Sequence, residues 1–116
     1  MSEKLEVKKI HLHVGLDADK LPKKIQWEAE ETGDGLQEAK AFLLSLFDPK
    51  RRETLKIDIW TTDLEIREMD FLMYNTLRSL ADTYFKATQN AELANDMQKF
   101  ALYFGDKTGL APENSK

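Results

Sequence analysis

Between residues 53 and 63 the chain reads ETLKIDIWTTD, and its apolar positions change period part-way through. Leu55, Ile57 and Ile59 alternate with Lys56, Asp58 and Trp60, which predicts a strand with two unlike faces. Thr62 and Glu65 then stand at capping-box spacing and open a long helical run. Ile66, Met69, Leu72, Met73, Leu77, Leu80 and Tyr84 form one stripe of that run, and Phe71, Tyr74, Arg78 and Phe85 a second. One stripe suffices for packing on a sheet, so the second predicts contact with another helix. Leu93, Met97, Phe100, Ala101 and Phe104 supply it, with Asn90 at the turn between the two helices.

The first third of the chain reads as a hairpin. Ile10, Leu12, Val14 and Leu16 share one face of a strand over residues 5–16; Leu5 and Val7 sit in the other phase, as a bulge or frayed start would place them. Asp17 to Pro22 is turn chemistry, and Ile25, Trp27 and Ala29 alternate through a second strand. Matching apolar faces sets Val14 against Trp27, His13 against Glu28 and His11 against Glu30, a register free to slip by two. Thr32 to Gly35 breaks the strand. Asp34 and Gln37 then read as a helix start, with Leu36, Ala39, Leu43, Leu46 and Phe47 at helical spacing and Asp48-Pro49 as the stop. The expected fold is α+β in the order strand, strand, helix, strand, helix, helix, with one small antiparallel sheet and helices packed on one face. A single domain is expected, with an ordered core over about residues 5–104 and a frayed tail from Gly105 to Lys116.

Composition narrows the chemistry. The 116 residues carry a net charge of −4, which argues against a nucleic-acid partner. The absence of cysteine removes disulfides and thiolate chemistry. Neither a secretory signal nor an apolar run long enough to cross a bilayer is visible, so a cytoplasmic location is expected.

The strand faces hold the candidate contacts. His11 and His13 lie two apart on the polar side of the first strand, near Glu28. With Glu28 and Glu30 opposite them they would gather two imidazoles and two carboxylates, which are zinc-type ligands, but a flat sheet face does not enclose a metal, and cross-strand pairing is the plainer reading. Lys50-Arg51-Arg52 reads as a solvated elbow, and Asp17 and Asp19 lack the spacing of a calcium loop. No catalytic residue, cofactor site or metal site is assigned. Parity puts Trp60 with Lys56 and Asp58, opposite Ile57 and Ile59. Trp60 there is either an interface anchor or covered by its own chain. His11, His13, Glu28, Lys56, Asp58 and Trp60 make up the candidate interaction face.

Residues 38–90 resemble the GldC family of bacterial gliding-motility proteins. The matching features are Glu38-Ala39-Lys40-Ala41, Asp48, Lys50, Glu53-Thr54-Leu55, Ile57-Asp58, Trp60-Thr61, Glu68-Met69, Thr76-Leu77, Ala81-Asp82-Thr83 and Ala87-Thr88. Pro22, Trp27 and Ala29 extend the likeness over the hairpin. The resemblance implies a small cytoplasmic accessory of motility machinery, without cofactor or enzymatic activity. It implies a protein partner from the motility or envelope machinery. A homo-oligomer through the sheet stays open. So does a chaperone-like holder of an envelope component, which needs an exposed groove along Phe71, Tyr74 and Phe85.

Overall fold

The computed structural model describes residues 3–110. The class is α+β, with five strands in two antiparallel sheets and two helices. The order is β1 (Ile10–Leu16), β2 (Pro22–Ala29), β3 (Gln37–Ala39), β4 (Ala41–Asp48), β5 (Glu53–Trp60), α1 (Ile66–Thr88) and α2 (Ala91–Thr108). Two compact units divide the chain, one running through Leu64 and the other starting at Glu65.

In the first unit β1, β2 and β3 form one sheet, and β4 and β5 form a second. The strand expected over residues 5–16 begins only at Ile10; just before it, the Lys9 carbonyl accepts a hydrogen bond from Glu30 N–H at 3.2 Å. Asp17 closes the β1–β2 turn, its Oδ1 accepting from the N–H groups of Asp19 and Leu21 at 2.8 and 3.1 Å. That side-chain turn is what lets Lys20 hold φ 67°. The hairpin register differs by two residues from the expected one: Val14 faces Ile25, Leu12 faces Trp27, His13 faces Gln26 and His11 faces Glu28. Slipping by two keeps the apolar face intact, so face matching alone does not select between the registers.

The larger correction concerns residues 36–48, expected as a helix and folded as β3 and β4. The run Ala41-Phe42-Leu43-Leu44-Ser45-Leu46-Phe47 is apolar on both sides and fits either period. The connection to β5 favours the strand. Asp48 accepts at Oδ1 from Lys50 N–H at 2.9 Å, and its carbonyl accepts from Arg52 N–H at 2.8 Å. Asp48-Pro49 is therefore the entry to a hairpin turn rather than a helix stop, and Phe42, Leu44 and Leu46 face Ile59, Ile57 and Leu55. Asp34 starts no helix; its N–H reaches the Thr32 hydroxyl, between Gly33 at φ 65° and Gly35 at φ 74°. The one sheet expected becomes two, which meet where Thr61 N–H donates to the Lys40 carbonyl at 2.8 Å and Thr62 N–H to the Pro22 carbonyl at 3.0 Å. Ile25, at 1% exposure, is the most buried large side chain of this unit, and Thr61 is its buried polar residue.

The second unit is a helical hairpin. The capping box that opens α1 is Glu65 with Glu68, not Thr62 with Glu65; the Glu68 carboxylate accepts from Glu65 N–H at 2.9 Å. Thr62 is committed elsewhere, its hydroxyl accepting from Lys23 Nζ at 2.8 Å. Gln89, in the left-handed region, ends α1, and Asn90 caps α2 by accepting from Leu93 N–H at 3.0 Å. Tyr74 and Ala81 on α1 and Ala94, Ala101 and Gly105 on α2 are buried. Small residues in that seam let the helix backbones approach closely. The helix runs on through Gly105, where the expected frayed tail begins, to Thr108, and Gly109 at φ 77° ends it; the rest of that tail, 111–116, lies outside the described residues. Asp63 lies before the helix, bonded to the Thr61 hydroxyl, and Asp82 accepts from Gln98 Nε2 at 3.2 Å.

Candidate functional site: two groups of polar residues on two sheets

The six candidate contacts divide into two groups of three. His11 and His13 on β1 and Glu28 on β2 belong to the three-stranded sheet. Lys56, Asp58 and Trp60 belong to β5 in the two-stranded sheet.

In the first group, the antiparallel register sets His11 directly across from Glu28, while His13 reaches the same carboxylate diagonally, its Nε2 4.0 Å from Glu28 Oε1. The two imidazoles tilt past one another with centroids 6.2 Å apart. The carboxylate comes within ion-pair range of the His13 imidazole on a half-exposed surface, the geometry of cross-strand pairing. Glu30, expected opposite His11, lies beyond the end of β2. Among the described residues no group of three or more His, Asp or Glu side chains is placed to hold a metal ion.

In the second group, alternation along β5 puts Lys56, Asp58 and Trp60 on one side. Lys56 Nζ donates to Asp58 Oδ1 at 3.1 Å. Across the ladder these residues meet Ser45, Leu43 and Ala41. Ala41 is too small to cover an indole, and Trp60 stands 50% exposed. Its ring borders an open groove of about 290 Å³ lined by Leu21, Pro22, Asp58, Ile59 and Thr62. The lining is mostly apolar and includes the paired Asp58 carboxylate, an arrangement suited to receiving an apolar side chain. Trp60 is thus half covered by its own chain and half open.

Next to this group, Asp63 has its carboxyl held below the ordinary carboxylate range, first by the hydrogen bond from Thr61 and then by the nearby Lys40 and Lys23 ammoniums. The Lys50-Arg51-Arg52 elbow is the tip of the β4–β5 hairpin, and its side chains are exposed.

A family model described as gliding motility-associated protein GldC-like matches residues 22–110. The chain belongs to the GldC-like family. The GldC-like span starts at Pro22, the first residue of β2, and runs through α2. It contains the whole Lys56, Asp58 and Trp60 group together with Glu28, and leaves His11 and His13 outside. No curated protein and no solved structure matches the chain. No helix among the described residues is long and apolar enough to cross a membrane.

The hairpin of helices offers a different surface. Tyr74, at the centre of the second α1 stripe, is 4% exposed, with its ring against Gly105 of α2. Phe71 and Phe85, to either side, stay exposed, with Arg67 stacked 5.4 Å over the Phe71 ring. The groove imagined along Phe71, Tyr74 and Phe85 is thus filled at its middle. The Tyr74–Gly105 contact escaped the sequence reading because Gly105 carries no side chain to register in an apolar stripe.

Proposed function

We propose that this GldC-like protein is a non-catalytic cytoplasmic accessory of the gliding-motility machinery, acting as an adaptor through protein–protein contacts. The contact surface of this reading is the Lys56, Asp58 and Trp60 side of β5, with His11, His13 and Glu28 contributing on the neighbouring sheet. The observation that carries it is Trp60: a tryptophan half in water, beside an apolar groove and flanked by a charge pair. Interfaces concentrate their energy in such aromatic anchors, ringed by polar groups that exclude water. The partner is a protein of the motility or envelope machinery with an apolar side chain to place in the groove. The chaperone-like reading is weaker, since its groove is interrupted at Tyr74.

Genetic complementation tests the proposal. In a gliding cell that lacks its own copy, the wild-type chain restores surface spreading, and Trp60→Ala at equal abundance does not. Full restoration by Trp60→Ala, or undiminished spreading without the protein, would refute the reading.

A further inference from the structure

We infer that a groove between α1 and α2, near the turn that joins them, receives an arginine side chain from a partner protein. Ala81 on α1 and Ala94 on α2 are buried and too small to fill the space between the helices at that level. An open groove of about 320 Å³ remains there, lined also by Asp82 and Phe85 of α1 and by Asn95 and Gln98 of α2. It belongs to the helical hairpin alone and does not rest on the Trp60 reading.

The polar lining calls for a donor. Gln98 uses both protons of Nε2 within the hairpin, on the Arg78 carbonyl at 3.3 Å and on Asp82 Oδ1 at 3.2 Å, which leaves its own side-chain carbonyl to accept. Among the described residues no ammonium or guanidinium stands within ion-pair distance of Asp82, Lys86 one turn on included. The aromatic lining calls for a cation. Elsewhere on α1, Arg67 lies 5.4 Å over the Phe71 ring and Arg78 5.6 Å over the Tyr74 ring, each one turn away along the helix. Phe85 is 40% exposed and carries no such cation among the described residues, because the positions one turn to either side are Ala81 and Gln89. Asp82 and Phe85, three apart, share a helix face, so one incoming group reaches both the carboxylate and the ring. α1 ends and α2 begins at this end of the hairpin, so their dipoles bring opposite partial charges there and largely offset. A planar guanidinium suits this lining better than an ammonium, since it stacks on a ring while its forked N–H groups donate to a carboxylate and a carbonyl. The net charge of −4 attracts a basic partner in the same sense.

The probe is Nα-acetyl-arginine amide, titrated into the isotope-labelled full chain and followed by backbone amide chemical shifts. The expected result is saturable millimolar binding, with the shifts confined to the groove between residues 81 and 98. Nα-acetyl-citrulline amide, of the same shape without the charge, binds about tenfold more weakly, and Nα-acetyl-lysine amide also binds less well than arginine. Asp82 and Phe85 are exposed, so changing them spares the fold. Asp82→Asn keeps an oxygen for Gln98 and weakens arginine binding about five- to tenfold. Phe85→Leu keeps the apolar bulk, removes the ring, and weakens it about two- to fivefold. No shift in the groove at tens of millimolar arginine amide would overturn the proposal. So would citrulline binding equal to that of arginine, lysine binding tighter than arginine, or full affinity in both variants.

Discussion

Replacing Gly105 by alanine sets two opposing effects against each other in one buried seam. Alanine is favoured over glycine inside a helix by about 1 kcal/mol. A Cβ at position 105 would lie 2.5 Å from Tyr74 Cε1 and 3.0 Å from both Cδ1 and Cζ. Ordinary carbon contacts begin near 3.4 Å, so the ring has to retreat by roughly 1 Å. Tyr74 is 4% exposed, which leaves it little room. Overpacking of this kind costs about 1–3 kcal/mol, and the clash therefore outweighs the propensity gain. Gly105→Ala should destabilise the protein by ~1 kcal/mol, lowering Tm by roughly 4–5 °C for a chain of this size. In a Tyr74→Leu background the obstructing ring is gone and the sign reverses, making the same substitution stabilising by up to ~1 kcal/mol. A double-mutant cycle by urea or thermal unfolding thus reads a coupling of about 2 kcal/mol. A coupling below about 0.5 kcal/mol would refute the placement of Tyr74 against Gly105.

Other substitutions test local features. Tyr74→Phe removes a buried hydroxyl that makes no hydrogen bond, so it should leave stability unchanged or raise it by up to ~1 kcal/mol in the same unfolding assay. Asn90→Ala deletes the side-chain cap on Leu93 N–H and should cost about 1 kcal/mol, seen as loss of helical circular dichroism at lower denaturant. Asp63 titrates below its ordinary 3.8 in the folded chain, so the stabilisation it contributes is complete above that value and is lost as pH falls through the lower folded value. Asp63→Asn should therefore flatten the acid limb of stability against pH below about 4, and an unchanged limb would contradict the Thr61 hydrogen bond as its cause.

How much of this was legible in the sequence depended on whether one period excluded the other. Residues 53–60 alternate strictly between polar and apolar, and they are β5. Residues 66–88 keep a helical stripe for six turns, and they are α1. Residues 41–47 satisfy both periods, and only the short connection at 49–52 and the need of β5 for a neighbour decide for a strand. A sharper signal was present in Asp48-Pro49, which is as good a turn entry as a helix stop. Parity placed Trp60 with Lys56 and Asp58. That His11, His13 and Glu28 sit on a different sheet from Trp60 followed from the strand at 41–47 and was hidden with it. Thr62 was read as the cap with Glu65 as its partner, but Thr62 is drawn off by Lys23 and Pro22, about forty residues away in the chain, and Glu65 becomes the cap.

The central claim is that this GldC-like protein works by holding another protein through the β5 face. Its most direct test is affinity capture of the tagged full chain from its native cell, with quantitative mass spectrometry, comparing wild type with Trp60→Ala at matched abundance and thermal stability. A motility or envelope component enriched with wild type and lost with Trp60→Ala is the predicted result. Equal recovery of that component by both proteins would contradict the account.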